Sequence, residues 1–111
     1  MAKREELAAK YRAELSRLGI TPDHGVLMQA VKACGPSIYR DDSETVAAGN
    51  PDELARVRQN FIMKRLGITD AAQADSAMDA ALDTIGRSNR NKYRAVLYYL
   101  IATQTGLTDR L

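Results

Sequence analysis

Apolar residues recur at three- and four-residue spacing along most of this chain, and each such run is bounded by helix start and stop signals. Leu7, Tyr11, Leu15 and Leu18 place an amphipathic helix over Lys3 to Leu18, stopped by Gly19. Thr21-Pro22-Asp23 opens the next, with Thr as cap, Pro at the first helical position and Asp at the positive end of the dipole. Its inner face is Leu27, Ala30, Val31 and Cys34, and Gly35-Pro36 breaks it. Asn50-Pro51-Asp52-Glu53 starts a third helix with an Asn cap and an acid at the capping-box position. That helix runs to Leu66 with Leu54, Val57, Phe61 and Ile62 inward. Thr69-Asp70 opens a fourth, whose inner face is Ala74, Met78, Ala81, Leu82 and Ile85 before Gly86. The last runs from Ser88 or Asn89 to Thr105 and is closed by Gly106. Residues 37–49 lack a helical pattern and read as a loop, with one turn at Val46 to Ala48.

Ala95 to Ala102 holds eight residues without a charge, so the last helix is apolar on nearly every side. Such a helix sits at the centre of a fold or beneath a partner, and it is far shorter than a membrane span. The first of these is the expectation. Arg-Leu-Gly-Ile-Thr occurs twice, at Arg17 to Thr21 and Arg65 to Thr69. In both places it joins a helix stop to a helix start, and the halves of the chain do not otherwise align. The repeat is punctuation. It predicts an all-α fold, a compact bundle of about five helices made of two helical hairpins and an apolar C-terminal helix. Residues 1–111 form a single domain.

Composition narrows the chemistry. The chain has 111 residues and a net charge of +2, which gives no global attraction to nucleic acid or membrane. Eleven of its 16 basic residues are Arg, a bias toward forked contacts with carboxylates or phosphates. One Cys and one His exclude an internal disulfide and a structural zinc site. The first residues mix both charge signs and lack the apolar stretch of a signal peptide. The expectation is a cytoplasmic protein with no membrane span, no metal and no cofactor.

The densest basic segment is Arg87-Ser88-Asn89-Arg90-Asn91-Lys92-Tyr93-Arg94. Positive charge at a helix start opposes the dipole by about 0.3–1 kcal/mol per group, so an anion is expected to offset it. Either a phosphate or acidic partner meets Arg87, Arg90, Lys92 and Arg94, or the stripe of Asp75, Asp79 and Asp83 does so internally. Arg58 and Arg65 fall within the arc of Leu54, Val57 and Phe61 if that helix is regular. An Arg so placed calls for a carboxylate, and Asp41, Asp42 and Glu44 of the loop are the candidates. No catalytic set emerges. His24 and Cys34 lie about ten residues apart, a poor geometry for a nucleophile and its base. Asp41-Asp42-Ser43-Glu44 lacks the ligand spacing and central Gly of a calcium loop. Tyr98 and Tyr99 flank the inner stripe of the last helix, for core packing or for a partner whose simplest form is a second copy.

Four stretches carry a family likeness: Lys32-Ala33-Cys34-Gly35; Asn50 to Arg58, which reads Asn-Pro-Asp-Glu-Leu-Ala-Arg-Val-Arg; Lys64-Arg65-Leu66-Gly67-Ile68-Thr69; and Tyr98-Tyr99-Leu100-Ile101-Ala102. Val31 to Gly106 thereby resembles a family of small bacterial proteins described as domain of unknown function 2853. The first helix falls outside these stretches, and the loop from Ser37 to Gly49 departs from the pattern. The resemblance implies a small all-helical bacterial protein without an assigned activity, and it brings no catalytic residues. The functional expectation is a non-enzymatic interaction or regulatory protein whose partner is a protein or a second copy. The alternatives are nucleic-acid or phosphate-ligand binding through Arg87, Arg90, Lys92 and Arg94, and a small-molecule enzyme using Arg58 with a loop carboxylate.

Overall fold

The glycines of the two repeated pentapeptides, Gly19 and Gly67, both adopt left-handed backbone in the computed structural model, with φ of +84° and +81°. Each ends a helix, as glycine without a Cβ readily does. The closures differ by one residue. Ile20 donates its amide to the carbonyl of Leu15, five residues back, at 3.0 Å, whereas Ile68 reaches Ile62, six residues back, at 3.1 Å. The second helix arrives at its stop with a wider turn.

The structure describes residues 3–40, 43–89 and 92–111. Five α-helices are α1 (Lys3–Arg17), α2 (His24–Cys34), α3 (Pro51–Val57), α4 (Ala71–Ile85) and α5 (Arg94–Thr105). Short 3-10 turns cover Gly35–Tyr39 and Thr108–Arg110. The fold is an all-α bundle. Every residue from Ala95 to Ala102 is buried, and α1, α2 and α4 all pack on α5. The last helix is therefore the centre of the molecule, and its apolar character is accounted for by its own chain. Tyr98 lies flat on Phe61 with ring centroids 3.8 Å apart, and the Tyr99 hydroxyl accepts the backbone amide of Asp23 at 2.9 Å. Both rings are core, not a partner surface.

Arg58–Arg65 continues α3 as a π-helix, with hydrogen bonds to the fifth residue back. Val57, Phe61, Ile62 and Leu66 are all buried. Nine residues separate Val57 from Leu66, about two and a half turns of α-helix, which would put them on opposite sides. The wider π turn brings Leu66 round to the core. It also corrects the expected direction of Arg65, which is exposed. A regular helix was the premise of that expectation.

Two caps move from the expected residue. Asp23, rather than Thr21, caps α2 by accepting from Val26 N at 3.1 Å, and Pro22 precedes the helix. Asp70, not Thr69, caps α4 through Ala72 N and Gln73 N at 2.8 and 3.2 Å. A carboxylate accepts the orphan amides and also places full negative charge at the positive helix end, which a hydroxyl cannot. Asn50 caps α3 as expected, at 3.0 Å from Asp52 N and 3.3 Å from Glu53 N.

The final helix starts at Arg94, not at Ser88 or Asn89. Thr45 and Tyr93 pair as an isolated antiparallel bridge, with Val46 N on Lys92 O at 2.8 Å and Arg94 N on Glu44 O at 2.7 Å. Pairing of the Lys92 carbonyl and the Arg94 amide with residues 44–46 keeps Tyr93 extended, and the helix begins after it. The loop is better ordered than its sequence pattern implies: a 3-10 turn follows α2 directly, Ile38 and Val46 are buried, and Asn50 N closes a turn on Ala47 O.

Candidate functional site

The segment 43–46 crosses the start of α5 and gathers the polar groups most altered by the fold. Tyr11, on the inner face of α1, is fully buried and donates its hydroxyl to Glu44 Oε2 at 2.6 Å. Lys10 Nζ meets the same oxygen at 2.6 Å and sits 4.8 Å from the centroid of the Tyr93 ring. The Tyr11 and Tyr93 rings are 5.2 Å apart. Arg94 lies on the other side, with Nε donating to Ser43 O at 3.0 Å and a terminal nitrogen to Glu53 Oε1 at 2.6 Å. Glu53 thus serves Arg94 and Arg56, rather than reaching back to its own cap. Cys34, at the end of α2, belongs to the same region electrostatically.

Burial dominates the chemistry here. It raises the Tyr11 phenol above its ordinary range, and the adjacent Glu44 carboxylate adds to the effect. The Cys34 thiol is pushed up to about 12 by burial, against the opposing charges of Arg94 and Arg65. Burial likewise raises Tyr98, although Arg94 pulls the other way. A thiol in that range is almost wholly protonated near neutrality and is a weak nucleophile.

The basic segment separates into distinct structural roles. Arg87 turns back onto α4 and pairs with Asp79 at 3.1 Å and Asp83 at 2.8 Å. Lys92 is buried, and its ammonium donates to the carbonyl oxygens of Arg87, at 2.7 Å, and Asn89. Arg94 bonds Ser43 and Glu53 as described. Arg90 lies outside the described residues. The Asp stripe is met by Arg87 and, at Asp75, by Arg58 at 2.9 Å. That last pair corrects the expected loop partner of Arg58. Glu44 instead faces Lys10 and Tyr11, while Asp41 and Asp42 lie outside the described residues. Arg65 makes no ion pair with any described carboxylate.

Tyr11 and Glu14 escaped the sequence reading as polar partners, whereas Glu44 was expected to be one but for a different cation. Glu14 is buried on α1, pairs with Arg17 and accepts from Asn89 Nδ2 at 3.1 Å, 75 residues away. Its only local signal was an acidic residue next to Leu15 on the inner arc. Among the described residues the surface includes two open depressions. A groove of about 450 Å³ between α4 and the end of α5 has Ala72, Ala77 and Ala80 in its lining. A cleft of about 250 Å³ lies between the first turn of α1 and the Met28 and Tyr39 side chains. Among the described residues no group of three or more His, Cys, Asp or Glu is placed to hold a metal ion. No described helix is long and apolar enough to cross a membrane.

Fold and site together define a small all-α protein whose central helix is latched by a polar strap. The chain belongs to the family described as "Protein of unknown function (DUF2853)", whose model matches residues 10–109. The match extends through the second half of α1, further toward the N-terminus than the four stretches that carry the resemblance. No curated protein matches the chain.

Proposed function

We propose that this protein is a non-enzymatic interaction or regulatory protein. What carries the reading is the use made of its chemically capable side chains: Tyr11, Glu44, Arg94 and Arg58 each hold one segment of the fold to another, and Lys92 ties the connection before α5 to itself. Groups that fasten the bundle are not free to move protons or attack a substrate. Arg58 lines neither depression described above, and its carboxylate comes from α4 rather than from the loop, which weighs against the enzyme reading. Of the described cations of the basic segment, Arg87, Lys92 and Arg94 are engaged within the molecule, which weighs against a phosphate-chain reading of these three.

The test is recovery of the tagged full chain from its native host, followed by direct binding of each co-eluting protein to the purified chain. A partner that binds the purified chain with a defined stoichiometry is expected. Strictly monomeric sizing, with no co-eluting protein that binds directly, overturns the proposal.

A further inference from the structure

The π-helix Arg58–Arg65 runs for eight residues, whereas π geometry mostly occurs as single turns inside α-helices, frequently at functional sites. Its register decides which of two neighbours enters the core: Leu66 is buried and Arg65 is exposed. Counted from Val57 at about 100° per residue, an α-helix sets Phe61 at about 40°, Leu54 at about 60°, Arg65 at about 80° and Ile62 at about 140°, one continuous face. Leu66 then stands at about 180°, outside that face. The same chain therefore has two registers, which differ in whether Arg65 or Leu66 turns inward. An Arg turned inward finds the Asp stripe of α4 already matched, since Asp75 holds Arg58 and Asp79 and Asp83 hold Arg87. A desolvated charge without a partner is strongly unfavourable, and this selects the wider turn.

We propose that Arg58–Arg65 is a two-register device, held in its π register by the charge of Arg65 and able to slip into an α register once that charge is removed. In the slip Leu66 leaves the core, and residue 65 joins the face shared by Leu54, Val57 and Phe61. The stop that follows belongs to the wide register. Leu66 N is bonded to Phe61 O and Ile68 N to Ile62 O, with Gly67 left-handed between them at φ +81°. Asp70, just beyond the stop, caps α4 and, with Ala72 and Gln73, lines the groove of about 450 Å³ against α5. Rotation of Leu66 therefore carries through to the first turn of α4, and the groove changes shape with the register. The device is independent of the interaction reading above, since it operates within one chain.

The experiment asks whether Arg65→Leu rescues Leu66→Ala in urea unfolding of the full chain. In the π register residue 65 lies in solvent and cannot replace a lost core side chain, so rescue requires the slip. Leu66→Ala should lower the folding equilibrium constant at least about 30-fold, the low end for truncating a buried Leu. Adding Arg65→Leu should recover most of that loss. Gln59→Leu should recover none, because Gln59 is exposed and an α-helix sets it at about 200°, also away from the core. NMR couplings across hydrogen bonds identify the register. The amide of residue 66 is bonded to Phe61 O at 2.9 Å in the parent and should couple to Ile62 O in the rescued chain, with the Ala72 and Gln73 amide signals displaced. No rescue, equal rescue by Gln59→Leu, or rescue with Phe61 still the acceptor overturns the proposal. If Leu66→Ala and the double variant both fail to fold, Arg65→Leu alone decides, since it keeps Leu66 and folds in either register. A second set of amide signals for residues 58–66, coupled to Ile62, is then expected, and a single set coupled to Phe61 overturns the proposal. Unmoved Ala72 and Gln73 signals in a slipped chain overturn the link to the groove.

Discussion

The Tyr11 hydroxyl donates to Glu44 Oε2 at 2.6 Å across 33 residues of sequence, joining the inner face of α1 to the strap over α5. The phenol is fully buried, and removal of its oxygen deletes the bond while Glu44 Oε2 keeps Lys10. A hydrogen bond to a charged group contributes about 1.5–3 kcal/mol. Tyr11→Phe is expected to lose an amount within that range in urea unfolding, with little change in slope. Glu44→Gln should lose less, because an amide oxygen still accepts from Tyr11 while only the partly exposed Lys10 pair is removed. A double-mutant cycle of Tyr11→Phe with Glu44→Ala, which removes the acceptor altogether, contradicts direct coupling if the two losses simply add.

Arg94 fixes the other side of the strap through Ser43 O and Glu53 Oε1. Both side chains of the ion pair are largely buried, at 14% and 17% exposure. Removing one partner leaves a desolvated charge behind, which costs about 3–5 kcal/mol for a fully buried pair and less here. Glu53→Gln should therefore destabilise the protein more than Glu44→Gln does. Arg94→Lys should recover little of the loss of Arg94→Ala, since an ammonium cannot span both acceptors with a planar fork. Equal stability of Arg94→Lys and the parent protein in chemical denaturation counts against this geometry.

The buried sides of α1, α2, α4 and α5 were legible because their cores follow regular spacing: Leu7, Tyr11 and Leu15 on α1, or Met78, Ala81, Leu82 and Ile85 on α4, face inward as their periodicity requires. The π-helix was not legible. Phe61, Ile62 and Leu66 suit a regular helix locally, and the wider turn that exposes Arg65 goes with tertiary packing, against α4 and in the Phe61–Tyr98 stack, that the local sequence does not carry. The strap was hidden for a different reason. Tyr11, Glu44, Glu53 and Arg94 lie far apart in sequence, and long-range polar pairing leaves no periodic signal. Arg58 was read as requiring a carboxylate, which is so, but the choice between the loop and Asp75 depended on how α4 packs.

Glu14 predicts the response to acid. Its hydrogen bond to Arg17 is the largest influence and lowers its pKa; burial opposes this, and Asn89 adds to the lowering. A depressed carboxyl pKa means that the unfolded chain takes up the proton first as pH falls. The stabilisation is therefore complete above the ordinary glutamate value of 4.5 and is lost as pH falls through the lower folded value. Glu14→Gln should be less stable than the parent at neutral pH, and the gap should narrow steadily below that value. Unfolding midpoints for the two proteins that fall in parallel across the acid range contradict the assignment.

At alkaline pH the sign is reversed, and Cys34 supplies the test. Burial holds its thiol at about 12 against an ordinary 9.0, so between those values the unfolded chain releases a proton that the folded chain keeps. Stability attached to this group is fully present below pH 9 and declines as pH rises toward 12. Cys34→Ala removes that dependence at the cost of one small, partly buried thiol. Its unfolding midpoint should start lower than that of the parent and fall less steeply above pH 9. Some slope persists in the variant, since Tyr11 and Tyr98 are also raised by burial and ionise in the unfolded chain first. Thiolate absorbance of the native parent provides a second measurement. Ionisation of Cys34 near the ordinary value while the fold remains intact means that the thiol is open to solvent, and the predicted alkaline difference between the two proteins then disappears.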